Sequence, residues 1–195
     1  MLDDAGAITA ARAGDREAFC ALVARYQEVA FRAAYLVVRD TATAEDVSQE
    51  AFVRAYQGLR SFRQGEAFRP WLLRIVTNLA LNDLRARGRR RGLLERFGRL
   101  RSEPEPPPEG AVIAGDQQAL LRQAINELPG DDRVILYLRY FLDLPEREIA
   151  VAIGRPPGTV KSRLNRAGGR LRDVIEQRYP VLRPESIGEG GDGHG

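Results

Sequence analysis

Cysteine and histidine are nearly missing. The 195-residue chain has one of each, Cys20 and His194. That excludes an internal disulfide framework and a Cys/His zinc site, so neither a metal nor a cofactor is expected. Lysine is nearly missing too: Lys161 is the only one among 30 basic residues. Arginine forks pair well with phosphate, but GC-rich codon usage also favours arginine, so the bias alone does not assign a nucleic-acid partner. Long apolar runs are absent. The best candidates are broken by Arg32 and Arg139, short of the roughly 18–20 residues that span a bilayer. The opening "MLDDAGAITA" has neither the basic n-region nor the apolar core of a signal peptide. A cytoplasmic protein without membrane insertion is the expectation. Strand-like alternation is lacking over any useful length, which points to an all-α fold.

What is present is helical. Hydrophobic residues make up 44% and charged residues 29%, enough to bury a core, and the formal net charge is only +3. Where the charge sits therefore matters more than its sum. Phe19, Leu22, Val23, Tyr26, Val29, Ala30, Ala33 and Val37 recur at spacings of three and four, which predicts a helix from about Asp15 to Val38. Thr43 followed by Asp46 resembles a capping box and predicts a second helix to Gly58. "SFRQGE" reads as a loop. A third helix is expected from near Arg69-Pro70 to about Arg87, with Gly88 as its stop.

Residues 85–101 then carry eight arginines against one acid, Glu95, and "SEPEPPPEG" follows. Its prolines exclude helix and favour extended geometry. The expected plan is two small helical domains joined by a flexible linker: 13–88, a basic and proline-rich linker 89–115, and 116–179. A tail over 180–195, ending "GEGGDGHG", is too polar and glycine-rich to pack and is expected to be disordered.

The second domain predicts helices over "QALLRQAINELP", "DDRVILYLRYFLD" and "LPEREIAVAIG". The last stops at Gly154 and precedes "RPPGTVKSRLNRAGGRLR". Two helices joined at a glycine, the second basic, describe a helix-turn-helix. At about 100° per residue, Val160, Leu164, Ala167 and Leu171 form one narrow apolar stripe. Lys161, Ser162, Asn165 and Arg166 lie across from it, on the early turns that a recognition helix sets against base edges. Arg163 and Arg170 flank the stripe and reach more naturally for phosphates, and Thr159 with the helix N-terminus offers a further phosphate site. Gly168-Gly169 interrupt this helix at roughly 0.5–1 kcal/mol each relative to alanine.

Three segments together resemble a known family. "TATAEDVSQEAFVRAYQGLRSF", "FRPWLLRIVTNLALNDLRARGRR" and "LPEREIAVAIGRPPGTVKSRLNRAGGRLR" look like the extracytoplasmic-function (ECF) sigma factors of bacterial RNA polymerase, group 4 of the sigma-70 superfamily. The likeness covers residues 13–178, with both domains in order. It implies that "AEDVSQEAFVRAY" docks on core polymerase, at the clamp helices of β′, with β also part of the partner surface. Asp46, Gln49, Glu50 and Arg54 are the polar candidates, and Asp46, Gln49 and Glu50 share one helix side. It implies that "SFRQGEAF" captures an unpaired base of the −10 element. It also implies that the next helix reads and opens that element, with Arg74, Asn78, Asn82, Arg85 and Arg87 as candidates. Single-strand capture needs an electropositive track, which residues 85–91 supply. Trp71 invites stacking on a base, but Trp71, Leu72, Ile75 and Leu79 follow core spacing. The family commonly carries an acid where Asn82 stands; here the acid is Asp83.

The resemblance further implies promoter DNA and an anti-sigma factor as partners, and a linker that threads the polymerase or merely tethers. The leading function is promoter-specific initiation by a sigma factor, with the second domain on the −35 duplex. The alternative is a stand-alone helix-turn-helix regulator with a helical N-terminal domain. An enzyme is disfavoured, because the chain has no P-loop, no metal-ligand cluster and no histidine outside the tail.

Overall fold

The computed structural model describes residues 3–63, 65–96 and 117–182, with side chains for all of these except 91–96 and 118. The described residues form eight α-helices and no strand: α1 (Asp4–Arg12), α2 (Arg16–Val38), α3 (Thr41–Gly58), α4 (Phe68–Arg96), α5 (Gln117–Asn126), α6 (Gly130–Tyr140), α7 (Glu146–Ile153) and α8 (Pro157–Arg178). The all-α expectation holds.

Aspartates start the first three helices. Asp3, Asp15 and Asp40 each accept a bond from the amide three residues on, at 2.8, 3.1 and 2.8 Å. Each satisfies an amide that the helix cannot. The cap of α3 is therefore Asp40, not Thr43; Thr43 lies inside the first turn and gives its hydroxyl to Asp40. Its two hydrogen bonds from Thr43 hold the Asp40 carboxyl below its usual value.

Helix α1 precedes the expected start at residue 13. It buries Ala7, Ile8 and Ala11 against α2. Arg12 donates to the carbonyls of Leu59 (2.8 Å) and Phe62, and Asp4 takes Arg25 and Tyr26. The first unit thus begins earlier than the apolar pattern of α2 suggests.

Helix α4 also departs from expectation. It runs through Gly88 to Arg96. A glycine ends a helix when it turns left-handed, as Gly154 does at φ 62°. Inside a run of arginines it only costs about 1 kcal/mol. The first part of the expected linker is helical, and 97–116 lie outside the described residues, as do 183–195 of the tail. Pro180–Leu182 form one 3₁₀ turn.

Two cores meet. In the first, Leu22, Ala30, Ala34 and Val37 pack against Ala51, Ala55, Leu72, Leu73 and Val76, all at most 1% exposed. In the second, five consecutive residues of α6, Val134–Leu138, are buried. A helix buried on every side needs neighbours on every side. Helix α6 has α5, α7 and α8 from its own region, and α2 and α4 from the first. The two helical regions are packed together.

Candidate nucleic-acid and polymerase interfaces

Helix α8 presents the surface expected of a recognition helix. The left-handed turn at Gly154 redirects the chain after α7, and Pro157 occupies the first turn of α8, where a missing amide hydrogen is harmless. Val160 and Ala167 are fully buried, with Leu164 and Leu171 packed beside them. Lys161, Ser162, Asn165 and Arg166 are exposed across the helix. Ser162 Oγ donates to Thr159 O (3.0 Å), and Arg166 Nε donates to Ser162 O (3.3 Å), so both side chains rest on the helix and project from its early turns. Arg163 and Thr159 are half-buried at the edge. Arg170 pairs with Asp132 of α6. The helix continues unbroken through Gly168-Gly169, and a Cβ at either position would meet nothing within 4 Å.

Helix α3 separates its faces cleanly. Val47, Ala51 and Ala55 are buried, while Asp46, Gln49, Glu50 and Arg54 are exposed. Arg54 Nε pairs with Glu50 Oε1 at 2.7 Å. Beside them lies an apolar patch that the sequence pattern does not single out. Val53 is 51% exposed and Tyr56 42%, with Phe19 edge-on to Tyr56 at 4.9 Å. Its signal was available: Val53 and Tyr56 stand three apart, outside the buried stripe.

Helix α4 divides its candidates. Arg74, Asn78, Asn82 and Arg85 fall on one side, whereas Arg87 lies about 200° further round than Arg85. Arg87 turns to α3, pairing with Asp83 at 2.6 Å and donating to Thr43. Asp83 therefore anchors an arginine within α4. Trp71 is half-buried, edge-on to Phe62 (4.9 Å) and tilted against Phe68 (5.6 Å), so it packs.

The shared side of α4 faces the second region. Arg74 lies alongside Gly154, where a Cβ would stand 3.2 Å from its guanidinium. Arg85 pairs with Asp131 at 3.1 Å. Asn78 lines a cavity of about 220 Å³ with Arg85, Asp131, Arg155 and Arg163. A second cavity, of about 530 Å³, collects Arg63, Arg74, Arg147 and Arg155 around Trp71, with Glu66 as its acid. No helix among the described residues is long and apolar enough to cross a membrane, and no group of potential metal ligands occurs among them.

These surfaces have counterparts in known proteins. Residues 22–90 match the family model of sigma-70 region 2, and residues 118–171 that of sigma-70 region 4. The RNA polymerase sigma-H factor of Pseudomonas aeruginosa is 39% identical over 87% of this chain and 91% of its own length. The chain belongs to the sigma-70 family, among the ECF RNA polymerase sigma factors. The ECF sigma-E factor of Escherichia coli is 35% identical, over 94% of this sigma factor and 98% of its own length. Among solved structures, the sigma factor RpoE of Bartonella quintana, in complex with the anti-sigma factor NepR, superposes with a TM-score of 0.61 at 25% identity. The match covers 81% of this chain and 96% of that one. CnrH, in complex with the cytosolic domain of CnrY, gives a TM-score of 0.65 at 24% identity and shares the fold over 90% of this chain and 98% of its own. The protein is a promoter-directing transcription initiation factor, and both regions in order leave the stand-alone regulator without support.

Proposed function

We propose a division of labour between three faces of this sigma factor. The exposed face of α3, with Asp46, Gln49, Glu50 and Arg54, docks on the β′ clamp helices of core polymerase. The loop before α4 and the Arg74, Asn78, Asn82 and Arg85 side of α4 capture and open the −10 element. Arg87, held against α3, braces that helix. Lys161, Ser162, Asn165 and Arg166 read the −35 duplex, while Arg163, Arg170 and Thr159 hold its phosphates. The protein acts in the cytoplasm, catalyses no reaction itself and is restrained by an anti-sigma factor, as the Bartonella quintana homologue is bound by NepR.

One observation carries the reading: Lys161, Ser162, Asn165 and Arg166 of α8 are all exposed, opposite a fully buried Val160 and Ala167. A single small module makes few base contacts, so it serves best as an anchor within a larger complex. Reconstitution with core polymerase and run-off transcription on genomic fragments tests it. Defined start sites that vanish with Arg166→Ala are expected. A reconstituted polymerase without promoter-specific transcripts overturns the reading.

A further inference from the structure

Three arginines line a cavity of about 360 Å³ where the two regions meet. Arg32 comes from α2, Arg39 caps the C-terminus of that helix, and Arg122 comes from α5. Phe31 and Tyr35 of α2, with Phe141 at the end of α6, supply its apolar wall. The volume falls within the roughly 300–1,000 Å³ of small-molecule sites. The arginine-lined cavities beside Asn78 and Trp71 each hold an acid, Asp131 in one and Glu66 in the other. Here, among the described residues, no carboxylate lines the wall. Glu28 reaches Arg32 at 3.9 Å, but its side chain is 83% exposed, so water screens the pair. Positive charge continues behind the wall. Burial raises the Tyr137 hydroxyl above its ordinary value, and Arg39, Arg133 and Arg122 pull against that rise. Burial also lowers the Arg133 guanidinium; Tyr137 opposes that and Arg39 adds to it. Arg133 Nε is buried with no hydrogen-bond partner among the described residues. Arg39 and Arg133 therefore repel each other across Tyr137, and an anion bound at Arg39 relieves that repulsion.

We propose that this cavity binds a free nucleoside diphosphate, with its phosphates on Arg32, Arg39 and Arg122 and its base against Phe31, Tyr35 and Phe141. Guanidinium forks match phosphate oxygens in pairs. Tyr35 is 40% exposed, and its ring lies 19° from the plane of Phe31 with centroids 6.1 Å apart, which offers stacking surface to a planar base. Arg39 holds a left-handed backbone, φ 62°, while its amide closes α2 on Tyr35 O at 2.9 Å, and this fixes the point from which its side chain enters the cavity. A cavity of this size takes one nucleotide, which favours a free nucleotide over a strand. The ligand touches α2 of the first region and α5 and α6 of the second, so it strengthens their contact. None of its residues is among those assigned above to polymerase or promoter, so the site stands apart from that reading.

Isothermal titration calorimetry of the full chain with ADP tests the site, beside pyrophosphate and adenosine as its two halves. ADP should bind at least about tenfold more tightly than either half and should raise the Tm. Arg32→Gln and Tyr35→Ala change exposed positions and should keep the helicity seen by circular dichroism. Each should weaken ADP about tenfold, because a charge-assisted hydrogen bond and a base stack are each worth about that factor. Pyrophosphate should respond to Arg32→Gln and ignore Tyr35→Ala, and adenosine should do the reverse. Arg39→Gln should act as Arg32→Gln does. Arg60→Gln, an exposed arginine outside the cavity, should change nothing. ADP that binds no more tightly than pyrophosphate, or that is weakened equally by Arg60→Gln and Arg32→Gln, reports only the general attraction of a basic protein and overturns the proposal. So does a labelled dT20 that depends on Arg32 and Tyr35 where ADP does not bind, since the cavity then serves a strand.

Discussion

The hydroxyl of Thr77 donates to the carbonyl of Ala152 across 75 residues of sequence, at 3.1 Å and out of contact with solvent. That carbonyl lies past the point where α7 can supply an amide. Thr77→Val keeps the shape and removes the donor. A buried acceptor left unpaired costs about 1–3 kcal/mol. Chemical denaturation should show a loss in that range. Thr77→Ser, which keeps the donor, should lose less of the contact between the regions than Thr77→Val when both are read by scattering.

Trp71 gives a second test, because packing and base stacking predict different readouts. It fills the space among Phe62, Phe68 and Gly58, 3.5 Å from where a Cβ of Gly58 would sit. Removing a buried tryptophan costs about 3–5 kcal/mol, and the half-buried setting places Trp71→Ala near the lower end. Urea denaturation should report that loss in the absence of any DNA. An unchanged midpoint would return Trp71 to a stacking role.

Tyr26 makes the fold sensitive to alkali. Burial, then its hydrogen bond to Asp4, push its hydroxyl up to about 12 from 10.0. An acid whose folded pKa is raised contributes stability fully below its unfolded pKa and loses it as pH rises through the folded one. The contribution of Tyr26 is thus complete below about pH 10 and fades toward pH 12. Thermal melts of the wild type should fall over that window. Tyr26→Phe should fall less steeply, and equal slopes would remove Tyr26 as a cause.

The readable parts of this molecule were those governed by periodicity. The α8 stripe of Val160 and Ala167 and the α3 stripe of Val47, Ala51 and Ala55 follow the helical repeat, so their polar faces were placed correctly. Arg87 was grouped with Arg74 because both are basic and share a helix. The repeat itself separates them, and Asp83 and Thr43 hold Arg87 on the other side. The packing of the two regions was hidden for a chemical reason. An arginine that caps a carbonyl is indistinguishable in sequence from one that binds a phosphate. Arg74 reads as DNA-facing charge until the end of α7 is placed beside it, and nothing near Arg69 or Arg133 in the sequence names their acceptors, Leu142 O and Val37 O, 73 and 96 residues away. The unbroken run "VILYL" in α6 was the one available hint, since a helix on the edge of an isolated domain does not need five apolar residues in succession.

Gly168 and Gly169 are not required by any contact in the structure. Neither has positive φ, and a Cβ would meet nothing within 4 Å at either place. Replacing each by alanine should therefore stabilise the protein by about 0.5–1 kcal/mol, by reducing the freedom of the unfolded chain and raising helix propensity. Denaturant midpoints should shift upward for Gly168→Ala and Gly169→Ala, and further for the pair. A fall would show that the glycines serve a contact within the free protein.

Arg166 and Arg170 sit one turn apart and should fail differently. Arg166 is exposed on the reading face and bonded only to its own helix backbone at Ser162. Arg170 flanks the stripe and pairs with Asp132, whose side chain is only 15% exposed. A side chain that reads a base edge contributes about 1–3 kcal/mol of discrimination, and a phosphate contact contributes affinity without preference. With the reconstituted polymerase, Arg166→Ala should lower binding to a cognate −35 fragment and leave binding to a scrambled one nearly unchanged. Arg170→Ala should lower both alike, flatten the salt dependence by about one counterion and cost up to about 1 kcal/mol of stability through the lost Asp132 pair. Equal losses on both fragments for both variants would mean that the Lys161, Ser162, Asn165 and Arg166 face positions the duplex without reading it, leaving promoter choice to the first region.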